Sequence, residues 1–320
     1  MKDLLKHTIA CRIAGCLAAF CLTFVSCTST VDDGLQDSRA ITFTPAADTR
    51  AAVTGFKDMG DFQVWGWYGG DGTAAPNNVF DGTVVYKDAG WNYTDGVRYW
   101  KAGETYNFYA VYPTDVKANV SSEGTITVTD FDCSKTGTEA VDLMTATATG
   151  VVADNMIKGG GKVDLTFQHA LARVNIIVTS KGDAVNISDA RLYGISHKGS
   201  LNGNEWDFGE ISDVNAPSFE TESLSIPAND TKDYFLFGGD LLLPPHKSLS
   251  DNAALSFSYQ YTTGDTTSKS ASIKLKTSSV TTWEKGKRYN YRINISRNAT
   301  NVTLVVEVTN WIEKNYTVEW

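Results

Sequence analysis

The sequence predicts an all-β protein made of two consecutive sandwich or barrel units. Three observations carry this. Short runs alternate apolar and polar residues, as strands with one buried face do. Gly, Asn and Asp turns separate the runs at fairly even spacing. No window of about fifteen residues shows a helical apolar period near 3.6. Many short strands of this kind favour sandwiches or barrels over a parallel sheet with crossover helices.

The chain opens differently. Lys2, Lys6 and Arg12 precede an uncharged stretch from Ile13 to Val25, then Ser26 and Cys27. A positive start, a short apolar run and a small residue before cysteine form a lipoprotein export signal. The run is too short for a comfortable span, which needs about 20 apolar residues. Residues 1–26 are therefore expected to be removed, and Cys27 to become the lipid-bearing N-terminus. Residues 27–40 are polar and aperiodic, with Asp32 and Asp33, and read as a tether.

Composition narrows the function. The chain has 320 residues and a formal charge of −9. Loss of Lys2, Lys6, Arg12 and Asp3 with the signal makes it more acidic still. Such a chain repels phosphate backbones, which argues against nucleic-acid partners. Of the five cysteines, Cys11, Cys16 and Cys21 lie in the signal and Cys27 takes lipid. Cys133 alone remains, so the exported protein is expected to hold together without an internal disulfide. The remaining length suits two domains, each large enough for its own core.

The strand-like runs follow in order. Phe62 and Val64 face one way, Gln63, Trp65 and Trp67 the other. Tyr106, Phe108, Ala110 and Tyr112 alternate with Asn107, Tyr109 and Val111, and Pro113 stops the run. Ile126 with Val128, then Val163, Leu165 and Phe167, then Val174, Ile176 and Val178 continue the pattern. Leu255, Phe257 and Tyr259 lead to Ile273 and Leu275, and then to Tyr289, Tyr291, Ile293 and Ile295. Val302, Leu304, Val306 and Val308 close it. The run Gly159-Gly160-Gly161 is the clearest breaker. It sets the expected boundary, with domains over 41–158 and 159–320. A long hairpin inside one domain is the alternative use of those glycines.

Catalytic signatures are missing. His169, His197 and His246 have no zinc-type spacing, and Cys133 has no partner motif. There is no nucleophile elbow and no phosphate-cradling glycine loop. The carboxylates are scattered. The expectation is a non-enzyme with no cofactor and no metal. Aromatics are the one dense constellation: Trp65, Trp67, Tyr68, Trp91, Tyr93, Tyr99, Trp100, Tyr106, Phe108 and Tyr109. They read first as sandwich core, since each large ring contributes roughly 1.5–3 kcal/mol on burial. Exposed, they would be a sugar-stacking platform.

Several segments together resemble the fimbrillin family, the subunits and associated proteins of Gram-negative type V pili. They include Ile41-Thr42-Phe43 followed by Thr49-Arg50-Ala51, and Phe62 to Tyr68. Tyr99-Trp100 with Gly103 and Tyr106 to Pro113, Val141 to Ala146, and Val163 to Val174 extend the resemblance. Leu241 to Pro245 and Trp283 to Tyr291 complete it. The resemblance implies two transthyretin-like Greek-key β-sandwich domains in tandem and no enzymatic activity. It also implies a lipoprotein precursor that loses an N-terminal strand to a protease cutting after arginine, and assembly by strand exchange.

On this pattern the cut falls at Arg50-Ala51 and removes the strand of Ile41, Thr42 and Phe43. Arg39-Ala40 is the alternative cut and leaves that strand in place. The C-terminal segment supplies the candidate donor, with Val302, Leu304, Val306, Val308, Tyr316 and Val318. The other possibility is that Val302 to Val308 completes its own domain. The implied partners are other pilus subunits, outer-membrane lipid through Cys27, the processing protease, and a host or glycan ligand. The implied location is the outer membrane and cell-surface fimbrium. A shaft, tip or anchor role is left open. The alternative function is a permanently anchored surface lipoprotein that binds glycans through its aromatics.

Mass spectrometry of membrane-extracted protein is expected to find an acylated N-terminal fragment beginning at Cys27. A Cys27→Ala variant that still fractionates with the outer membrane would overturn the lipid assignment.

Overall fold

A computed structural model describes residues 39–47, 59–69, 75–208, 216–297 and 302–311. In chain order the strands are β1 (Thr42–Ala47), β2 (Phe62–Tyr68), β3 (Asn77–Lys87), β4 (Trp91–Tyr93), β5 (Thr105–Tyr112), β6 (Lys117–Val120), β7 (Ile126–Asp132) and β8 (Met144–Val152). A short helix α1 (Ala153–Gly159) leads to β9 (Lys162–His169), β10 (Ala172–Ser180), β11 (Val185–Tyr193), β12 (Lys198–Asn202), β13 (Glu205–Asp207) and β14 (Phe219–Ile226). The chain ends through β15 (Tyr234–Phe235), β16 (Leu241–Leu243), β17 (Ala254–Tyr261), β18 (Lys269–Lys274), β19 (Lys287–Ile295) and β20 (Thr303–Asn310). The protein is all-β.

Seven strands form the first sheet, in the order β1-β9-β8-β5-β2-β3-β4. The sheet curls until its ends meet: the Tyr93 hydroxyl, from edge strand β4, donates to the Ile41 carbonyl beside edge strand β1 at 2.9 Å. Inside the curl lie Phe43, Phe62, Val64, Phe80, Tyr106, Phe108, Leu165 and Phe167. Gly66 permits this packing, because a Cβ there would sit 2.8 Å from the Phe108 ring. The outer face of the same strands carries Trp65, Trp67, Tyr109 and Val111 into a second core. Period-two alternation therefore divides β2 as its residue types predict.

That second core is continuous. It passes under the four-stranded sheet β13-β12-β7-β6 and into a sandwich of two further sheets. One sheet has the order β15-β10-β19-β20, with β16 also on β10; the other is β14-β11-β17-β18. Val174, Ile176, Tyr291 and Ile293 meet Val185, Ile187, Leu255 and Phe257 between them. Tyr291 is fully buried, with its hydroxyl accepting from Trp283 Nε1 at 3.0 Å and donating to the Leu275 carbonyl at 3.1 Å. Cys133 is a buried free thiol whose pKa burial raises.

The glycines at the expected boundary sit at the end of a helix. Gly160 is the left-handed C-cap of α1, with φ 96°, and its N–H donates to the Met156 carbonyl. The glycines end a one-turn-plus helix that returns the chain to the sheet it left, the use Gly has at a helix terminus. The strand that follows, β9, pairs with β8 and β1, and its Val163, Leu165 and Phe167 fill the first core. The two halves do not divide cleanly after β9, because β7 pairs with β12 from beyond it.

One buried histidine gives this fold a pH dependence. His246 bridges to Trp283 through paired backbone hydrogen bonds of 2.8 and 2.9 Å, and its Nδ1 lies 2.8 Å from the Pro244 carbonyl. Its ring stacks on Phe208 at 4.7 Å. Burial lowers its pKa below the usual value. Above pH about 6.5 the ring is neutral in both folded and unfolded chains. As pH falls from there through the lower native pKa, the unfolded chain takes up the proton first, so stability declines. Urea unfolding between pH 7.5 and 5 is expected to show this decline, and His246→Gln to flatten it.

Candidate functional site: the first strand and its seam

β1 lies at the edge of the first sheet yet fills its core. Ile41, Phe43 and Pro45 point inward and are buried, while Thr44 is exposed. The Phe43 ring stands edge-on to Phe80 at 5.3 Å and Phe108 at 5.6 Å, with Tyr93 at 6.3 Å. Such T-shaped contacts add to the area term.

Two devices hold the strand. Along its length it runs parallel to β9, from Thr42 opposite Lys162 to Ala47 opposite Phe167. At its start, Ile41 N–H donates to the Arg98 carbonyl at 2.8 Å and Trp100 N–H to the Arg39 carbonyl at 2.9 Å, while Ala40 bridges Tyr99. Arg98 is itself fixed, with Nε on the Val79 carbonyl at 2.7 Å and its guanidinium over the Phe80 ring at 4.7 Å. Tyr93 joins the two sides, accepting from Arg98 N–H at 3.0 Å while it donates to Ile41. Burial raises the pKa of that phenol, so its proton stays in place at neutral pH.

β9 is weakly attached on its other side. It meets β8 only at Met144 opposite His169 and Thr145 opposite Gln168. Beyond those two pairs the strands stay side by side without a backbone ladder, and α1 spans their far ends. β1 and β9 thus form a two-stranded flap, tied into the sheet at one corner by hydrogen bonds and along its length by core side chains.

The other candidate residues lie elsewhere. Arg39 is exposed and Ala40 buried in its bridge. Cys27, Arg50 and Ala51 fall outside the described residues, as do Tyr316 and Val318. Leu304, Val306 and Val308 are in β20 and Val302 just precedes it. β20 pairs antiparallel with β19 from Thr303 opposite Asn294 to Asn310 opposite Lys287. Of the two readings left open for this segment, completion of its own sheet is the arrangement observed. β1 and β20 do not meet. What sequence reading missed is β9 as the partner of β1, and the Tyr93–Arg98–Trp100 clamp; only the aromatic density around residue 93–100 hinted at the latter.

The aromatics are core. Trp65, Trp67, Trp100, Tyr106, Phe108 and Tyr109 are all buried, and Trp91 packs on Phe62 at 5.3 Å. Tyr99 is the sole aromatic among the exposed large apolar residues described. No coplanar exposed row forms among the described residues.

A family model described as fimbrillin-like matches residues 49–311. The chain belongs to the fimbrillin-like family. Solved structures agree on the fold. A fimbrial protein from Bacteroides vulgatus superposes with TM-score 0.55 at 17% identity, over 85% of this chain and 99% of that one. A Bacteroides ovatus protein described as a cell-adhesion candidate gives TM-score 0.55 at 15% identity, over 86% and 98%. No curated protein matches the chain significantly. Family and structural relatives are fimbrial and adhesion proteins, not enzymes. The fimbrillin-like match begins just after β1 and ends on Trp311, the residue following β20.

Phe43→Ala is expected to lower stability by about 3–5 kcal/mol, the range for deleting a buried ring, measured by urea unfolding. A loss within experimental error would show that β1 contributes nothing to the first core.

Proposed function

We propose that this fimbrillin-like chain is a structural subunit of a cell-surface fimbrium, exported as a lipoprotein through Cys27 and assembled by strand exchange. A protease cuts after Arg50 and removes β1. A strand from another subunit then enters the vacated place. The partners are further copies of this chain or related subunits, and the location is the outer surface of the cell.

The observation that carries the reading is the double character of β1. Its side chains belong to the core, while its backbone is an edge paired with one strand. Removing it would leave an apolar trough beside an unpaired β9 edge, and such an edge recruits another strand. A replacement burying four apolar side chains gains roughly 6–12 kcal/mol before ordering costs. Arg50 suits the cut better than Arg39. The bond after Arg39 lies inside the Ala40–Tyr99 bridge and the Trp100–Arg39 hydrogen bond, where a protease would have to unpair the backbone first. Glycan binding through the aromatics loses its support, because those rings are buried.

Limited trypsin digestion of the precursor, followed by N-terminal sequencing and size analysis, tests this. A new terminus at Ala51 with SDS-resistant oligomers is the expected outcome. A clean cut there that leaves a stable monomer points to a capping or anchor role. Repeated failure to cut removes polymerisation by this route.

A further inference from the structure

We propose that Trp311, stacked on His169, is a latch that keeps β20 on its own sheet until β9 loses β1. The proposal rests on the strand-exchange reading and names the contact that would regulate it.

The latch is built at the last residue of β9. The Trp311 indole lies flat on the His169 imidazole, with centroids 3.7 Å apart and planes 8° from parallel. His169 Nδ1 lies 2.5 Å from Asp142 Oδ2, in the connection before β8, which fixes the ring's orientation. The Arg173 guanidinium stands 5.7 Å from the Trp311 ring and is ion-paired with Asp240. Trp311 N–H donates to the Gly286 carbonyl at 2.9 Å, and Gly286 N–H donates to the Leu171 carbonyl at 2.8 Å. The end of β20 is thereby tied to the turn between β9 and β10.

Little else buries β20. It is an edge strand in which Leu304 and Val306 are half-buried, while Val305 and Val308 are exposed. Trp311 is 3% exposed and is the one buried side chain among residues 302–311. The anchor is also incompletely satisfied: Trp311 Nε1 and His169 Nε2 have no hydrogen-bond partner among the described residues. Buried polar atoms in that condition favour release into water.

The link to β1 is mechanical. His169 sits on one of the two pairs joining β9 to β8, and β9 otherwise pairs with β1. Without β1, residues 162–167 of β9 have no ladder partner, and His169, two residues beyond, is held by its pair with Met144 and its contact with Asp142.

Hydrogen–deuterium exchange on the full uncut chain tests both parts. In Trp311→Ala, amides of residues 303–310 are expected to exchange at least about ten-fold faster, with β11 and β17 unchanged. Trp311→Phe, which keeps a stacking ring, should retain most of the protection. Unchanged exchange in Trp311→Ala overturns the latch. Coupling is read without any protease, from Phe43→Ala, or Phe43→Leu where the first does not fold. Faster exchange in β9 and β20 together supports the proposal, and faster exchange in β9 alone overturns it. Failure of trypsin to cut at Arg50 would instead count against the strand-exchange reading, leaving these two results to decide the latch.

Discussion

The first sheet depends on one lopsided strand. β9 holds β1 along a full parallel ladder but meets β8 at only two residue pairs. A backbone ladder gains its stability by pairing on both sides, and an edge with few partners opens readily. The flap of β1 and β9 therefore stays closed through its side chains. Ile41, Phe43, Val163, Leu165 and Phe167 make it part of a core of tightly packed rings. Its position is secure against thermal opening and vulnerable to covalent removal, because the apolar contacts of β1 leave with the strand.

The two termini contrast in a way that follows from burial. β1 is a core strand by its side chains and an edge strand by its backbone. β20 is an edge strand by both, since most of its residues are exposed. Loss of β1 would expose apolar surface and create a strong site for another strand. Release of β20 would break its ladder with β19 but uncover less apolar surface, and the one fully buried side chain it would free is Trp311. Placing that burial in one aromatic contact would make the release controllable by a neighbour.

Local alternation made much of this legible. The division of β2 into Phe62 and Val64 on one face and Trp65 and Trp67 on the other appears in the sequence and in the two cores. The same holds for β5, whereas the single apolar face of β19 lies in the second core alone. The glycine run is ambiguous in sequence, because a helix C-cap and an interdomain linker demand the same residue for the same backbone reason. The segment of Val163, Leu165 and Phe167 is legible as a strand, but its partners β1 and β8 are not, since period-two patterns carry no information on partners. The Trp311–His169 stack was out of reach for a related reason. It joins residues distant in the chain, and a tryptophan after a strand looks alike whether it caps, packs or points to solvent.

In the proposed strand exchange, the residues of β1 would help to set the register of an incoming strand. Ile41, Phe43 and Pro45 occupy successive inward positions. Val302, Leu304, Val306 and Val308 repeat that spacing. Any strand with this alternation can offer its apolar face to the trough in register, since a one-residue slip would turn the face outward. Pro45 brings no N–H, but Thr42 N–H donates toward β9 and Ile41 N–H away from it, so by alternation position 45 faces away from β9, where an edge strand tolerates proline. β-branched valines also suit a half-buried pleated surface. An incoming strand of this composition would match the apolar burial of β1, and in the proposed exchange the balance would favour it if a cut kept β1 from returning.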